Sequence, residues 1–309
     1  MNRNFLRRLV GICATLLVIS LLTFVALDAA PGDAASSLVG ESASSAQLQA
    51  LRVQLGLDQP VLARYATFLF NFVLHGDLGR SFVSGKSVIG LLQERLPYTI
   101  VLALSSAMLA SVFGIAIGVV SAMHAGTRLD TLCMSSASLG LAVPTFWSAM
   151  LLMLLFSIKL RWLPVVGAEG IQSLILPSVT LALPTMAVVA RLMRASLLDV
   201  ICADYVRTAH AKGLAPSAVL LRHILRNSLI PVVTALGLHL GYLLGGVFIV
   251  ETIFGWPGLG RLAVQAIFDR DYPVVIGTAL TVASIYVVIN LIVDVMHGWL
   301  DPQVAQEAI

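Results

Sequence analysis

The chain has 309 residues, 58% of them hydrophobic and only 11% charged, with a formal net charge of +3. Such a composition excludes an ordinary soluble domain, and a balance this close to neutral gives no electrostatic reason to expect nucleic acid as a partner. Three cysteines (Cys13, Cys133, Cys202) with no C-x-x-C spacing exclude a disulfide framework.

A bilayer core requires about 20 consecutive apolar residues per helix. Six runs meet or approach that length: Leu9–Leu27, Thr99–Met123, Thr131–Ile158, Leu174–Ala190, Ile230–Val250 and Val274–Val293. Lipid offers no partner to a free peptide N–H or C=O, so these runs must be helices. The expected class is an all-α polytopic membrane protein with about six transmembrane helices. The first run follows Arg3, Arg7 and Arg8 and resembles a signal peptide, but its 19 residues exceed the roughly 7–15 of a signal core. It is read as the first membrane helix.

The segment after it, 29–98, is a long connection. Pro31-Gly32-Asp33 marks a turn. Ser42–Gly56 carries Leu48, Leu51 and Leu55 at helical spacing. Tyr65–Leu74 is aromatic and apolar yet too short to span, and is expected in the interface or over the outer mouth. Ser84-Gly85-Lys86-Ser87 mimics part of a phosphate-binding loop. That loop needs a glycine separated from the Gly-Lys pair by four residues, and Gly79 is one position too distant.

Pro144 and Pro184 fall within apolar runs and Pro177 near the start of one, so bent helices are expected. Ionisable groups are nearly absent at mid-membrane. Glu251 and Asp294 are placed near helix ends, where hydration and a structural role suffice. A proton- or sodium-coupled carrier would need titratable groups deeper in the membrane. No nucleophile–base pair points to an enzyme, and no His or Cys cluster points to a metal.

The region 191–227 is the most informative. Asp204–Asn227 holds four Lys or Arg and two His in 24 residues, between apolar runs. From Arg191 to Lys212 neither Gly nor Pro interrupts, so one continuous helix is expected, with Leu198, Ile201 and Tyr205 as its apolar stripe. Gly213 fits a helix C-terminal cap, with Lys212 favourably placed at the dipole's end. Pro216 suits the first turn of a second helix, which is expected to end against Pro231. Two accounts compete. A cytoplasmic bias of positive charge explains the arginines. A docking element also explains the helical continuity, the Gly at the break and the small tip formed by Arg207, Thr208, Ala209, Ala211, Lys212 and Gly213.

Asp204-Tyr-Val-Arg-Thr-Ala-His-Ala-Lys-Gly213, with Ile230-Pro231, resembles the cytoplasmic coupling motif of ABC-importer permeases in its peptide/nickel subfamily version. Further matches run along almost the whole chain. They include Arg7-Arg8-Leu9, Ala30–Asp33, Leu55–Pro60, Gly76–Ser81, Leu96-Pro97-x-Thr99, Glu251–Gly260, Arg270–Pro273 and Asn290-x-x-x-Asp294. Ser87-Val88 and Asp301-Pro302-Gln303 depart from the usual Pro-Val and Asp-Pro-Arg. The resemblance is to the first of two permease subunits of a dipeptide/oligopeptide importer. It implies a type I ABC importer permease fold, with 1–28 as tail and first helix, 29–98 extracytoplasmic, and 99–309 a five-helix permease core.

It further implies a coupling site at Asp204, Arg207, Thr208, Ala209, Ala211, Lys212, Gly213 and Leu214. Outer-loop or gate residues would be Asp77, Glu251, Trp256, Pro257 and Asp271, with Asp294 structural at the inner end. The implied partners are a second permease, two cytoplasmic ATPases that use ATP and Mg, an extracytoplasmic peptide-binding protein and the bilayer. This chain itself would bind no cofactor, and nickel is the alternative cargo. The implied location is the bacterial plasma (inner) membrane. Since the basic clusters at 3–8 and 191–226 share a side, both termini and the hairpin are expected in the cytoplasm. In a background lacking the three native cysteines, Ser44→Cys is expected to react with an impermeant thiol reagent added to intact cells, and Ser217→Cys is not. Outside labelling at position 217 would reverse the topology.

Overall fold

A computed structural model describes residues 3–30, 32, 34–39 and 44–300, with side chains other than those of 3–9, 39, 210, 238–246 and 294–300. The chain is helical: α1 (Arg3–Ala29), α2 (Ala34–Val39), α3 (Ser45–Gln54), α4 (Val61–His75), α5 (Val88–Met123), α6 (Arg128–Ala142), α7 (Thr145–Leu152), α8 (Gln172–Ile201), α9 (Asp204–Ala211), α10 (Pro216–Val219), α11 (Arg226–Ile253), α12 (Leu259–Phe268) and α13 (Tyr272–Leu300). Among the described residues the only β pairing is a single bridge, Arg80 to Ser87.

Among the described residues five helices are long and apolar enough to cross a membrane, or six where a bent pair counts as one span. That pair covers the run Thr131–Ile158, where the bend expected at Pro144 is a break between two helices. Pro144 disfavours helical backbone at the residue before it, and Val143 is extended at φ −84° and ψ 122°. The bend between the two halves is 106°. Near the start of the pair Asp130 is bonded to Arg194 near the end of α8, and at its far end Leu152, Met153 and Phe156 share one apolar cluster with Leu174 and Leu176 at the start of α8. A π-helical turn, Met153–Lys159, extends α7.

Two other boundaries differ from expectation. The helix after Leu174 stops at Ile201 and restarts at Asp204, although neither Gly nor Pro intervenes. The bend directs Val206 and Ala209 into a buried apolar cluster. Pro231 does not start a new helix. The chain runs helically from Pro216 through a π-helical segment, Leu220–Leu225, into α11 with Pro231 inside it. In the turn before Pro231, Ser196 donates to the Ser228 carbonyl at 3.0 Å and Ser228 to the Ile224 carbonyl at 2.9 Å.

The chain divides into two compact units. One comprises Met1–Thr99 with Pro257–Val288, the other Ile100–Trp256 with Ile289–Ile309. In the first, α4 lies along α1. Phe24 meets Tyr65 edge-on, Tyr65 and Ser20 share a hydrogen bond, and Arg64 pairs with Asp28 at 3.0 Å. Leu78, Val88, Leu92, Leu259 and Val274 form its core. In the second, α8 is central: 61% of its apolar window is buried, against 11% for α1. Apolar side chains such as Met108, Leu132 and Leu139 remain exposed on helices, as lipid contact requires.

Helix association in lipid depends on close packing and interhelical hydrogen bonds. Both operate where α5 crosses α8. A Cβ on Gly118 would lie 2.6 Å from the Ala190 carbonyl oxygen and 2.6 Å from the Met193 Cβ, and one on Gly114 would meet Val189. Ser105 and Ser178 bond across the same crossing at 2.7 Å. Gly118→Val is therefore expected to force the helices apart and destabilise the protein by about 1–3 kcal/mol, read as a lower thermal midpoint in detergent. Gly126→Val, in a turn where a Cβ would meet nothing, tests the strain of its positive φ alone.

Candidate functional site

The hairpin lies wholly in the second unit. Its first arm, α9, buries Val206 (2% exposed) and Ala209 (5%) against Met193 and Leu197 of α8 and Val219 and Ile224 of the second arm. The buried stripe is thus Val206/Ala209. Of the expected stripe, Ile201 and Tyr205 are exposed, and only Leu198 packs against the cluster. Ala209 accordingly leaves the exposed tip and becomes an anchor.

Gly213 closes α9 with φ +75°. The Leu214 N–H reaches back to the Ala209 carbonyl, and the Lys212 N–H bonds the Thr208 carbonyl at 3.0 Å. The six-to-one bond is the signature of a Schellman cap. Space is not the constraint, since a Cβ on Gly213 would meet nothing within 4 Å. The glycine is required by backbone conformation alone. Pro216 takes the first turn of α10 as expected. Asn227 donates to Tyr205 at 3.0 Å and ties the two arms together.

Asp204, Arg207, Thr208, Ala211, Lys212, Gly213 and Leu214 are exposed. Arg207 and Asp204 approach only to 3.7 Å on the surface, a geometry that contributes little. The result is a small, basic tip held by a rigid apolar base. Leu214 and Leu221, 43% and 62% exposed, add apolar area beside it.

The outer-loop candidates separate. In the first unit, Asp271 is 4% exposed. Its carboxylate accepts from the Ser81 hydroxyl and from the Phe82 N–H at 2.9 Å. Two motifs separated by 190 positions therefore form one joint. A second joint lies nearby, where the Leu259 N–H donates to Thr99 Oγ1 at 2.8 Å. The Arg270 guanidinium also lies against Gly32, where a Cβ would require that flexible side chain to shift. Arg270 itself has φ +55°. Asp77 stays exposed and accepts from the Gly79 N–H. Pro257 is half-buried, at the first unit's boundary.

In the second unit, Glu251 is fully buried, correcting the expectation of a hydrated helix end. Trp256 is also buried, with Leu102, Ala149, Leu176 and Phe254. Its burial follows from tertiary packing, which spacing along the sequence does not show. Asp294 belongs to α13, and its side chain lies outside the described ones.

The phosphate-loop mimic is a tight turn. Ser84 donates its N–H to Ser81 Oγ, Gly85 its N–H to the Ser81 carbonyl, and Lys86 its N–H to Ser84 Oγ. These amides are already committed. Among the described residues no group of three or more His, Cys, Asp or Glu gathers that could hold a metal.

One constellation was not found from sequence. Asp130, 5% exposed, receives Arg194 Nε at 2.7 Å and Nη2 at 2.7 Å, the Ser121 hydroxyl, and the Gly126 N–H at 2.9 Å. Arg194 appeared in the sequence only as one of the basic residues beside the membrane. The signal for Asp130 was a carboxylate three residues after Thr127 at a helix start, a position usually explained by capping.

Residues 114–306 match the family described as binding-protein-dependent transport system inner membrane component, and residues 1–103 match its N-terminal companion family. The glutathione transport system permease protein GsiC of Pectobacterium atrosepticum is 44% identical over 304 residues, covering 98% of this chain and 99% of that one. Its Escherichia coli namesake is 42% identical over 299 residues, covering 97% of each. Among solved structures, an inward-facing MetNI methionine ABC transporter aligns with TM-score 0.58 at 18% identity, over 69% of this chain and 97% of that chain. An amino acid ABC transporter aligns with TM-score 0.53, also at 18% identity, over 67% and 93%.

The Asp271 joint gives a direct test. Asp271→Ala leaves the Ser81 hydroxyl and Phe82 N–H without their acceptor and is expected to cost about 1–3 kcal/mol. Asp77→Ala, which removes one exposed turn contact, is expected to cost less. Thermal unfolding of the purified protein compares them.

Proposed function

The chain belongs to the family of binding-protein-dependent transport system inner membrane components, and we propose that it is the first of two permease subunits of a peptide importer. As an ABC importer permease it is a multi-pass transport component rather than an enzyme. The hairpin is the surface through which two cytoplasmic ATPases, fuelled by ATP and Mg, drive the permease pair. A peptide-binding protein delivers cargo on the opposite side. Both termini and the hairpin face the cytoplasm.

The observation that carries the coupling role is the division of labour within α9. Val206 and Ala209 are anchored in the cluster, while Arg207, Thr208, Ala211, Lys212 and Gly213 are exposed at the tip. A merely solvated loop needs no such base. A rigid base lets a push on the tip move α8 rather than bend the hairpin. Peptide cargo is favoured by the full-length likeness to proteins named for glutathione transport, and glutathione is the first substrate to test. Nickel gains no comparable support.

Gly213→Val places a β-branched residue at φ +75°, a conformation that costs of order 1–3 kcal/mol. A loss of about 1.4 kcal/mol in docking weakens association tenfold. The variant is expected to insert and pair with the second permease while recovering fewer ATPase subunits and importing less labelled glutathione. Gly213→Asn, which tolerates this conformation better, should retain more of both. Arg207→Ala should do little. Normal ATPase recovery and uptake in Gly213→Val would leave the hairpin as a basic loop.

A further inference from the structure

The interface of α6 with α8 is built from small residues. Ala137 packs with Ala187 and Ala190, and a Cβ on Gly140 would sit 3.4 Å from the Leu183 carbonyl oxygen. Such a surface holds helices close but has no deep ridges to oppose sliding along the axis. A polar tie at one end decides the register. Asp130 supplies it, with both carboxylate oxygens engaged by a bidentate Arg194, the arrangement that adds directional specificity to charge. The same carboxylate accepts from Ser121 of α5 and Gly126 of the α5–α6 turn. It therefore joins three segments. Its burial makes a half-broken arrangement costly, because a lone carboxylate would remain out of water.

The position of Arg194 gives this joint a consequence. Met193 and Leu197, adjacent to it and one turn beyond, are fully buried in the cluster that anchors Val206 and Ala209 of the hairpin. Arg194 thus projects from the segment of α8 that receives the hairpin. We infer that Asp130 and Arg194 are positioning residues for energy coupling: they lock the α5–α6 turn and the start of α6 to α8, so that hairpin displacement moves α6 with α8. This inference rests on the hairpin being the ATPase-docking element. It assigns Arg194 a role apart from membrane orientation and separates docking, at the tip, from transmission, at the lock.

The test uses the complete transporter in liposomes. A Ser138→Cys substitution on the exposed side of α6, with Cys13, Cys133 and Cys202 replaced, reports movement through its maleimide labelling rate with and without vanadate-trapped nucleotide. With the lock intact, trapping is expected to change that rate. Asp130→Asn should retain ATPase subunits and basal hydrolysis but diminish the labelling response by about tenfold. Arg194→Lys, which keeps charge without the bidentate fork, and Ser121→Ala, which removes one donor, should give smaller losses and carry the question if Asp130→Asn does not assemble. An undiminished response in these variants at normal ATPase association, or no response with the lock intact, would overturn the inference. If Gly213→Val fails to weaken ATPase association, the docking reading fails instead, a result distinguishable because the lock variants predict retained association.

Discussion

The second unit depends on how closely α5 can approach α8. In lipid, apolar side chains gain little by leaving tails as apolar as themselves, so helices associate through packing and interhelical polar bonds. Gly114 and Gly118 remove the Cβ atoms that would hold the pair apart, and Val189, Ala190 and Met193 fill the space. Once α8 is held there, its other faces receive α6, α7, α11 and the hairpin. Its burial explains why serines and threonines recur along an apolar helix. Ser178 and Ser196 bond to neighbouring helices, and Thr180 returns to its own backbone.

The first unit solves another problem. Its chain arrives in two pieces, separated by more than 150 residues, which must find each other. Polar joints specify that pairing. Asp271 caps the Ser81 turn, and Thr99 accepts from Leu259. Residues that resembled family signatures in isolation are thus mutual partners. Asp271, a gate candidate on resemblance, accepts hydrogen bonds from Ser81 and Phe82. The Gly-Lys-Ser stretch is similarly absorbed, its backbone donors closing a turn instead of facing an anion.

The hairpin combines the two modes. An apolar base roots it in the helix cluster, and a glycine in left-handed conformation closes the tip. Charge is distributed unevenly in importance. Arg207 is exposed and its pairing loose, whereas Arg194, in the same basic stretch, is bidentate to a buried carboxylate. Counting positive residues treats them alike, while geometry separates a surface charge from a structural tie. The residues that transmit movement need not touch the partner that causes it.

Hydrophobic run length, by itself, determined that this is an all-helical membrane chain, because lipid leaves the backbone no alternative to internal hydrogen bonding. The order Lys212-Gly213 followed by Pro216 located the hairpin turn, since a left-handed cap and a first-turn proline are local backbone requirements. Tertiary structure alone decided that α8 breaks before Asp204, that Val206 and Ala209 rather than Ile201 and Tyr205 face inward, and that Pro231 lies within a helix. It also decided that Glu251 is buried and that Asp130 meets Arg194 across 64 positions. Each of these depends on which neighbours supply contacts, hydrogen bonds or shielding from water, and that information is distributed over segments far apart in the chain.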